Sequence, residues 1–178
     1  MFSRMGGLSV GSSGRIIGCR KRYASSTIPD LVDESFIALA KKSGFGALVD
    51  CPFPASPRFD SCLAGMVVRS GTRAGVVMAE LTVSERLSNS YATLHGGGVA
   101  TLVDVLGTLA LLSVDSQRAG VSLEMSISFV AAAKAGDHLI ATGRMLKAGR
   151  NVGFTEVDIR RRDDGKLIAT GRHTKMLP

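Results

Sequence analysis

The longest apolar run in the chain extends from Gly96 to Leu112 and contains one charged residue, Asp104. At helical spacing this run has no polar stripe, which is typical of a helix that protein covers on nearly all sides. An uncompensated carboxylate at mid-span argues against a membrane helix. The pattern therefore predicts a central, buried helix and no membrane span.

Two strands are predicted before this helix. Residues 63–69 and 75–84 have strand-like composition, and Ser70-Gly71-Thr72-Arg73 between them predicts a hairpin turn. Apolar residues in the second strand alternate and share one face, which is expected to be buried. They are Val77, Ala79, Leu81 and Val83.

Four more strands are predicted after the helix, over residues 121–130, 137–147, 152–162 and 166–176. Asp164-Gly165 is typical of the turn between the last two. Together these elements predict an α+β domain, in which an antiparallel sheet of about six strands is wrapped around the central helix. Such a sheet leaves edge strands and one face to cover, so a dimer or a larger assembly is expected.

The N-terminal region differs from the rest in composition. Five of the 22 basic residues lie in residues 1–23, which contain no Asp or Glu, and without them the net charge of +7 falls to about +2. The segment is rich in Ser, Gly and Arg, so it predicts a mitochondrial presequence and a location in the matrix, with an untargeted leader as the alternative. Residues 24–58 predict an amphipathic helix, at 28–43, and a proline-rich loop. One globular domain is expected at 59–178.

Composition also limits the chemistry. The three cysteines lack a C-x-x-C spacing, so neither a disulfide framework nor a zinc site is indicated. Arg160-Arg161-Arg162 are followed by two acidic residues and lack an aromatic platform, which favours a solvated hairpin tip over a nucleic-acid site. We expect no metal, no cofactor and no nucleic-acid partner.

The first candidate for chemistry is the start of the predicted helix. His95 precedes Gly96, Gly97 and Gly98, and glycines at a helix start let a ligand approach unpaired backbone N–H groups. Such donors, helped by the positive helix end, stabilise a carbonyl oxygen that gains negative charge during attack. The alternative role of these glycines is close packing of the backbone against the sheet.

Asp104 is the second candidate. A carboxylate in an apolar helix is costly to bury unless it has a partner or a catalytic role. Gly96 and Asp104 are eight residues apart, which is about 12 Å of helix rise and too far for both to act on one carbonyl carbon. Two such helices running antiparallel about a two-fold axis would place the start of one opposite the Asp of the other. We therefore expect two composite sites in each dimer.

Four motifs keep a common spacing from about residue 60 to the end: Asn89-x5-His95-Gly96-Gly97, Leu102-Val103-Asp104, Gly120-Val121-Ser122 and the C-terminal run from Gly165 to Lys175. In these motifs the chain resembles the small hotdog-fold acyl-coenzyme A thioesterases, of the thioesterase superfamily member two type within the phenylacetate-degradation thioesterase-like group. The resemblance implies the hotdog fold, hydrolysis of acyl-CoA to free fatty acid and CoA, and a homodimer that is expected to form a dimer of dimers.

The resemblance also implies roles for single residues. Asn89 and the backbone N–H of Gly96 would polarise the thioester carbonyl, while Asp104 and Ser122 of the facing subunit would orient and activate water. His95 would support the loop and His173 would sit near the leaving group. Taken alone, His95 is equally suited to capping the helix, and Asn89 and Ser122 to a turn or a strand surface.

Coenzyme A binding is implied across a subunit interface. The residues expected there, besides Gly97 at the substrate, are Lys147, Arg150, Asn151, Val152, Phe129 and Met176. Lys147 and Arg150 would pair with the nucleotide phosphates, although a basic turn is often only a solvated surface feature. A dehydratase of the same fold and a non-catalytic acyl-thioester-binding protein are the competing functions.

Two positions depart from the family pattern. Gly98 stands where a larger apolar residue is expected, and Val105 where close relatives carry Asn. Neither removes an expected catalytic atom, but both leave substrate selection open.

Overall fold

The computed structural model describes residues 59–72, 74–115 and 117–178; the predicted presequence, N-terminal helix and proline-rich loop lie outside these ranges. One long α-helix, α1 (Gly96–Leu112), has the bounds that the apolar run predicts. The strands in the described residues are β1 (Val67–Thr72), β2 (Val76–Thr82), β3 (Val121–Phe129), β4 (His138–Ala148), β5 (Val152–Arg161) and β6 (Leu167–Met176). Short 3-10 helices at Phe59–Leu63 and Glu85–Leu87 precede β1 and α1.

The strands form one antiparallel sheet in the order β1-β2-β4-β5-β6-β3, and α1 packs against one face of this sheet. Leu102, Leu106 and Leu109 of the helix are fully buried, as are the strand residues Val77 and Ile159. Removing such side chains from water is the main source of the domain's stability, at about 25 cal/mol per Å² of apolar area. The predicted α+β architecture is confirmed.

The hairpin between β1 and β2 differs from the prediction of a turn at 70–73, which is wrong. Ser70, Gly71 and Thr72 pair with β2, because an irregularity between Val68 and Ser70 shifts the register and lets pairing continue. The chain reverses at Gly75 instead, with φ of +78°. A Cβ at Gly75 would lie 2.7 Å from Cβ of Met145, so both the backbone conformation and the space require glycine.

The prediction that α1 is covered on nearly all sides is only partly right. Gly96, Gly97, Ala100 and Asp104 are only half-buried and recur at helical spacing, so they form an open strip along the helix. The side chain of Asp104 is 48% exposed. Because glycine and alanine project so little, this strip is the place where another helix could approach α1 most closely.

Strand β3 forms one edge of the sheet and is almost wholly exposed. Val121, Leu123 and Phe129 are more than half exposed, and Met125 and Ile127 are partly so. The strip on α1 adjoins this edge, since a Cβ at Gly96 would lie 3.5 Å from the Phe129 ring. An apolar strand with an unpaired backbone edge is a surface that natural proteins normally pair or cover.

No helix within the described ranges is long and apolar enough to span a membrane.

Candidate active site

Asp104 lies beside two basic residues that β6 projects towards the helix. Its Oδ1 is 3.6 Å from Nε2 of His173 and 3.9 Å from Nζ of Lys175. His173 and Lys175 alternate along β6, so both side chains leave the same face of the sheet and meet α1 one above the other. Lys175 was not among the site residues predicted from the sequence, in which it stands at the end of a predicted strand.

Ser122 joins this cluster from the neighbouring strand. Strand β3 pairs with β6, and Oγ of Ser122 lies 2.8 Å from Nε2 of His173. The structure therefore brings Asp104, Ser122 and His173 together within one subunit. Ser122 and Asp104 both lie at Nε2, however, whereas a Ser-His-Asp triad needs the carboxylate at the other ring nitrogen. The arrangement does not make Ser122 a nucleophile, and it favours an activated water.

His173 is fully buried behind Ser122, so its side chain is not open to direct contact with a substrate in one subunit. Its expected place near the leaving group stays a prediction. Its Nδ1 is buried and has no hydrogen-bond partner among the described residues. Burial lowers the pKa of His173, the nearby charge of Lys175 lowers it further, and Asp104 and Glu124 oppose them. A neutral imidazole with its proton on Nε2 donates to Ser122 and leaves no buried donor unpaired.

The helix start is organised by His95. Nδ1 of His95 accepts a hydrogen bond from the Gly97 N–H at 2.9 Å, which makes His95 the N-cap of α1. The Gly98 N–H donates to the His95 carbonyl at 2.9 Å. Gly97 was expected to face the substrate, but its N–H is already used. The Gly96 N–H has no partner in the described part of the chain, so it is the donor that remains for a ligand.

Asn89 lies in the loop before α1, held close to the helix start. Its Oδ1 accepts from the N–H groups of Tyr91 and Thr93, at 2.9 and 3.2 Å, and from the Thr93 hydroxyl at 3.1 Å. The loop is closed further by His95 N–H, which donates to the Leu87 carbonyl at 2.7 Å. With its oxygen occupied, Asn89 can offer only its amide N–H groups, which are donors suited to a carbonyl oxygen.

The unexpected Gly98 has a packing explanation. A Cβ at Gly98 would lie 3.2 Å from Leu87 and 3.3 Å from Leu94, two side chains that occupy the space beside the helix start. The apolar volume expected at Gly98 is thus supplied by its neighbours.

The segment expected to bind coenzyme A is the β4–β5 hairpin. Lys147, Arg150 and Asn151 are exposed there, and Val152 pairs with Met176 of β6. Phe129 is not near this hairpin within one subunit, because it lies at the far end of β3, against Gly96. One subunit therefore does not bring Phe129 to the hairpin, and the expected coenzyme A site across a subunit interface stays a prediction.

Arg118 braces this hairpin and was missed in the sequence. Its guanidinium donates to the carbonyl oxygens of Gly149, at 3.0 Å, and Arg150. The Leu177 N–H donates to the Asn151 carbonyl at 2.8 Å from the other side. Arg118 lies in the loop after α1, so this contact ties the hairpin to the end of α1.

The arginine run at the β5–β6 turn is engaged in ion pairs. Arg161 contacts Asp164 at 2.8 Å and Asp137 at 3.2 Å, and Arg162 contacts Glu80 at 3.4 Å. The Arg161 guanidinium lowers the pKa of Asp164 to about 2. These contacts favour the solvated hairpin tip over a nucleic-acid site.

Two other features bear on possible sites. A groove of about 270 Å³ lies between β1, β2 and β4, lined by Arg69, Glu80 and His138, and does not include Asp104. Within the described ranges, no group of three or more His, Cys, Asp or Glu side chains is placed to hold a metal ion.

Sequence comparison identifies the family. The model of the thioesterase superfamily matches residues 91–168. Acyl-coenzyme A thioesterase 13 of Homo sapiens is 42% identical over 113 residues, which are 64% of this chain and 81% of that protein. This chain belongs to the thioesterase superfamily. The expected site of this thioesterase, at the start and the middle of the central helix, stays a prediction.

Solved structures of the superfamily share the fold. Zebra fish thioesterase superfamily member 2 is 39% identical with a TM-score of 0.67, covering 82% of this chain and 94% of that one. A thioesterase protein of Streptococcus pneumoniae solved with coenzyme A is 28% identical with a TM-score of 0.62, covering 67% and 92% of the two chains. The expected hotdog fold of this thioesterase is thereby confirmed.

Proposed function

We propose that the chain hydrolyses acyl-CoA thioesters to free fatty acid and CoA at a site shared between two subunits. The observation that carries this is the cluster of Asp104 and Ser122, held by a buried His173 on the open side of the helix. The similarity to acyl-coenzyme A thioesterase 13, and to a thioesterase solved with coenzyme A, supports acyl-CoA as the substrate class.

The reaction needs only water besides the thioester. Asp104 accepts a proton from a water that Ser122 orients, and the water oxygen attacks the carbonyl carbon. The Gly96 N–H and the Asn89 amide donate to the carbonyl oxygen as it gains negative charge. The C–S bond then breaks, the electron pair leaves with the CoA sulfur, and the proton held by Asp104 passes to the products. No cofactor takes part.

A second subunit is needed because Gly96 and Asp104 of one helix are about 12 Å apart along its axis. Ala100 is midway between them, on the same half-buried strip. If two helices pack antiparallel with the two-fold axis beside Ala100, Gly96 of each faces Asp104 of the other. The small residues of the strip permit this close approach, and the packing would cover the half-exposed carboxylate.

The exposed edge strand β3 supports the same two-fold axis. At one end of β3, Phe129 lies beside Gly96. At the other end, Ser122 contacts His173, which in turn lies beside Asp104, so β3 runs antiparallel to α1. Pairing of β3 with a second copy about Met125 would bury the apolar edge and set Phe129 of that copy opposite Val121. Because Val121 pairs with Met176, Phe129 of the second copy then completes the coenzyme A segment. A dimer of two such dimers is part of the proposal.

Mixed dimers test the shared site. Asp104→Ala removes the base, and Gly96→Pro removes the free N–H while proline remains compatible with the first turn of a helix. Each variant alone should be inactive. After subunit exchange, a heterodimer carries one intact composite site, so part of the activity should return. Gly96→Ala is the comparison variant: it keeps the N–H and makes only an ordinary contact with Phe129 of its own subunit, so activity lost in Gly96→Pro but kept in Gly96→Ala reports the donor.

Absence of recovered activity in dimers shown to have exchanged would overturn the shared site. A panel of acyl-CoA substrates from short to long, with release of the thiol as the signal, tests the reaction itself. Formation of a 2-enoyl product without thiol would favour a dehydratase, and binding without turnover a non-catalytic protein. Wild-type turnover by Asp104→Ala would remove the proposed base.

The basic leader supports delivery of this enzyme to the mitochondrial matrix. Residues 1–23 hold five basic and no acidic residues. A fluorescent protein fused after residue 23 should enter mitochondria, whereas the same fusion with the five basic residues changed to Gln should stay outside. Equal distribution of the two fusions would contradict the targeting role.

A further inference from the structure

Two basic groups share one oxygen of Asp104. Nε2 of His173 and Nζ of Lys175 lie 3.6 and 3.9 Å from the same Oδ1. Two neighbouring positive charges repel each other, and a single carboxylate cannot offset the burial of both. One of the two basic groups is therefore expected to be neutral.

Lys175 is the group that keeps its proton. Burial lowers the pKa of Lys175 and the charge of Asp104 opposes that shift, while the pKa of His173 is lowered as well. Because the ordinary pKa of lysine, 10.5, is far above that of histidine, 6.5, lysine takes the first proton. Nζ donates to the hydroxyl of Thr108 at 2.6 Å, in a region that is almost fully buried. The Thr108 hydroxyl donates its own proton to the Asp104 carbonyl oxygen at 2.8 Å, so it can only accept from Lys175. Thr108 thereby holds the ammonium one helical turn from the Asp104 carboxylate.

The surroundings of His173 disfavour a second charge. Protonation would place a proton on Nδ1, which is buried and makes no hydrogen bond within the described ranges. The backbone carbonyl of Asp104 favours the charged ring, but burial, the largest influence on the pKa of His173, outweighs it. Helix α1 packs closely against the ring at Gly107, where a Cβ would lie 3.1 Å from Nδ1. The Thr155 hydroxyl, next to the same helix residue, donates to the His173 carbonyl and is not available to the ring.

We propose that Lys175 is a positioning residue of the hydrolysis: its buried charge keeps His173 neutral, so that His173 orients Ser122 and Asp104 remains free to act on water. This inference rests on the proposed function. An imidazolium ion at 3.6 Å would add a second positive charge beside Oδ1, which would weaken the carboxylate as a base for water.

The charges around His173 set the direction of the effect. Lys175 of the same strand opposes its protonation, whereas Asp104 of α1 and Glu124 of β3 favour it. Without the charge of Lys175, both carboxylates would act unopposed except by burial. His173 should then take up a proton at higher pH than in the wild-type protein.

The experiment compares Lys175→Met, which is similar in length and uncharged, with Lys175→Arg, which keeps the charge. In Lys175→Met the acid limb of kcat/KM should move to higher pH, so that the ratio of activity at about pH 6 to that at about pH 8.5 falls by about an order of magnitude. Lys175→Arg should restore the wild-type ratio. The control Lys166→Met removes an exposed lysine at the β5–β6 turn and should leave the profile unchanged.

A second readout does not depend on turnover. The protonation of the His173 ring can be followed by NMR in the folded dimer, with His173→Gln to assign its signal among the three histidines. Its midpoint should be higher in Lys175→Met than in the wild type, and also in Thr108→Val, which removes the hydroxyl that holds the ammonium. An unchanged midpoint in these folded variants would overturn the role of Lys175. A raised midpoint in a protein without thioesterase activity would support that role and overturn the proposed hydrolysis instead.

Discussion

Nε2 of the fully buried His173 lies 2.8 Å from Oγ of the exposed Ser122. This contact joins an imidazole that no substrate can reach to a hydroxyl that faces the open side of α1. The contact fixes the Ser122 hydroxyl from within the core, and in the proposed mechanism His173 acts through Ser122. The same β3–β6 pairing that brings these side chains together also leaves β3 as the exposed edge available to a second subunit.

Replacing Asp104 with Asn should lower kcat by about 10²–10⁴-fold, because the amide cannot accept a proton from water. KM for acyl-CoA should change little, since the shape of the side chain is kept. Steady-state assays of thiol release would measure both parameters. Asp163→Asn, on the exposed β5–β6 turn, is the matched control and should behave as wild type.

The free energy of unfolding should fall as the pH decreases below about 6.5 through a contribution from His173. Burial and Lys175 lower the pKa of His173 in the folded state beneath its ordinary value of 6.5. Between these two values the unfolded chain binds more protons than the folded one, so acid favours unfolding. Urea titrations at about pH 7.5 and 5.5 should show a smaller decrease for His173→Gln than for wild type. Equal decreases in the two proteins would contradict a neutral, buried His173.

Arg118→Ala should weaken coenzyme A binding with little effect on kcat at saturation. The substitution removes the two donors that hold the carbonyls of Gly149 and Arg150, so the β4–β5 hairpin should lose its fixed shape. Hydrogen exchange of the amides at 149–152 should become faster, and calorimetry should show a raised Kd for CoA. Arg86→Ala, whose guanidinium contacts Ser61 away from this hairpin, is the control. Faster amide exchange with an unchanged Kd for CoA would show that Arg118 stabilises the hairpin but that the shape of the hairpin does not determine CoA binding.

Gly107→Ala should destabilise the domain by about 1–3 kcal/mol. A Cβ there would lie 2.6 Å from the Thr155 hydroxyl and 3.1 Å from Nδ1 of His173, so the helix must move away from β5 and β6. Gly96→Ala on the same helix meets Phe129 at 3.5 Å, an ordinary contact, and should be tolerated. Chemical denaturation of the two variants gives the comparison. Similar stability of both would show that the helix can shift at Gly107 without cost.

The elements that local patterns specify were predicted well. The bounds of α1 follow from an apolar run that only a covered helix can accommodate, and the last four strands differ from prediction by one residue or less at each end. The glycines after His95 indicated a helix start with available N–H groups. The 12 Å between Gly96 and Asp104 predicted that one helix cannot form a whole site.

Other features depend on contacts that local sequence patterns do not specify. The turn near Ser70 was misplaced because the irregularity in β1 arises from its pairing with β2. Gly97 was predicted to face the substrate, but its N–H donates a hydrogen bond to the side chain of His95, and the sequence did not predict this contact.

By itself, the sequence determined the helix, the strands and the candidates His95, Gly96 and Asp104, because periodicity and helix geometry act over short distances along the chain. Family resemblance had joined Ser122 and His173 to Asp104 in one expected site, but only the tertiary structure decided that Lys175 lies beside this carboxylate and that a buried His173 contacts Ser122. These residues come from α1, β3 and β6, and their charges and hydrogen bonds depend on distances that exist only once the strands pair and close over the helix.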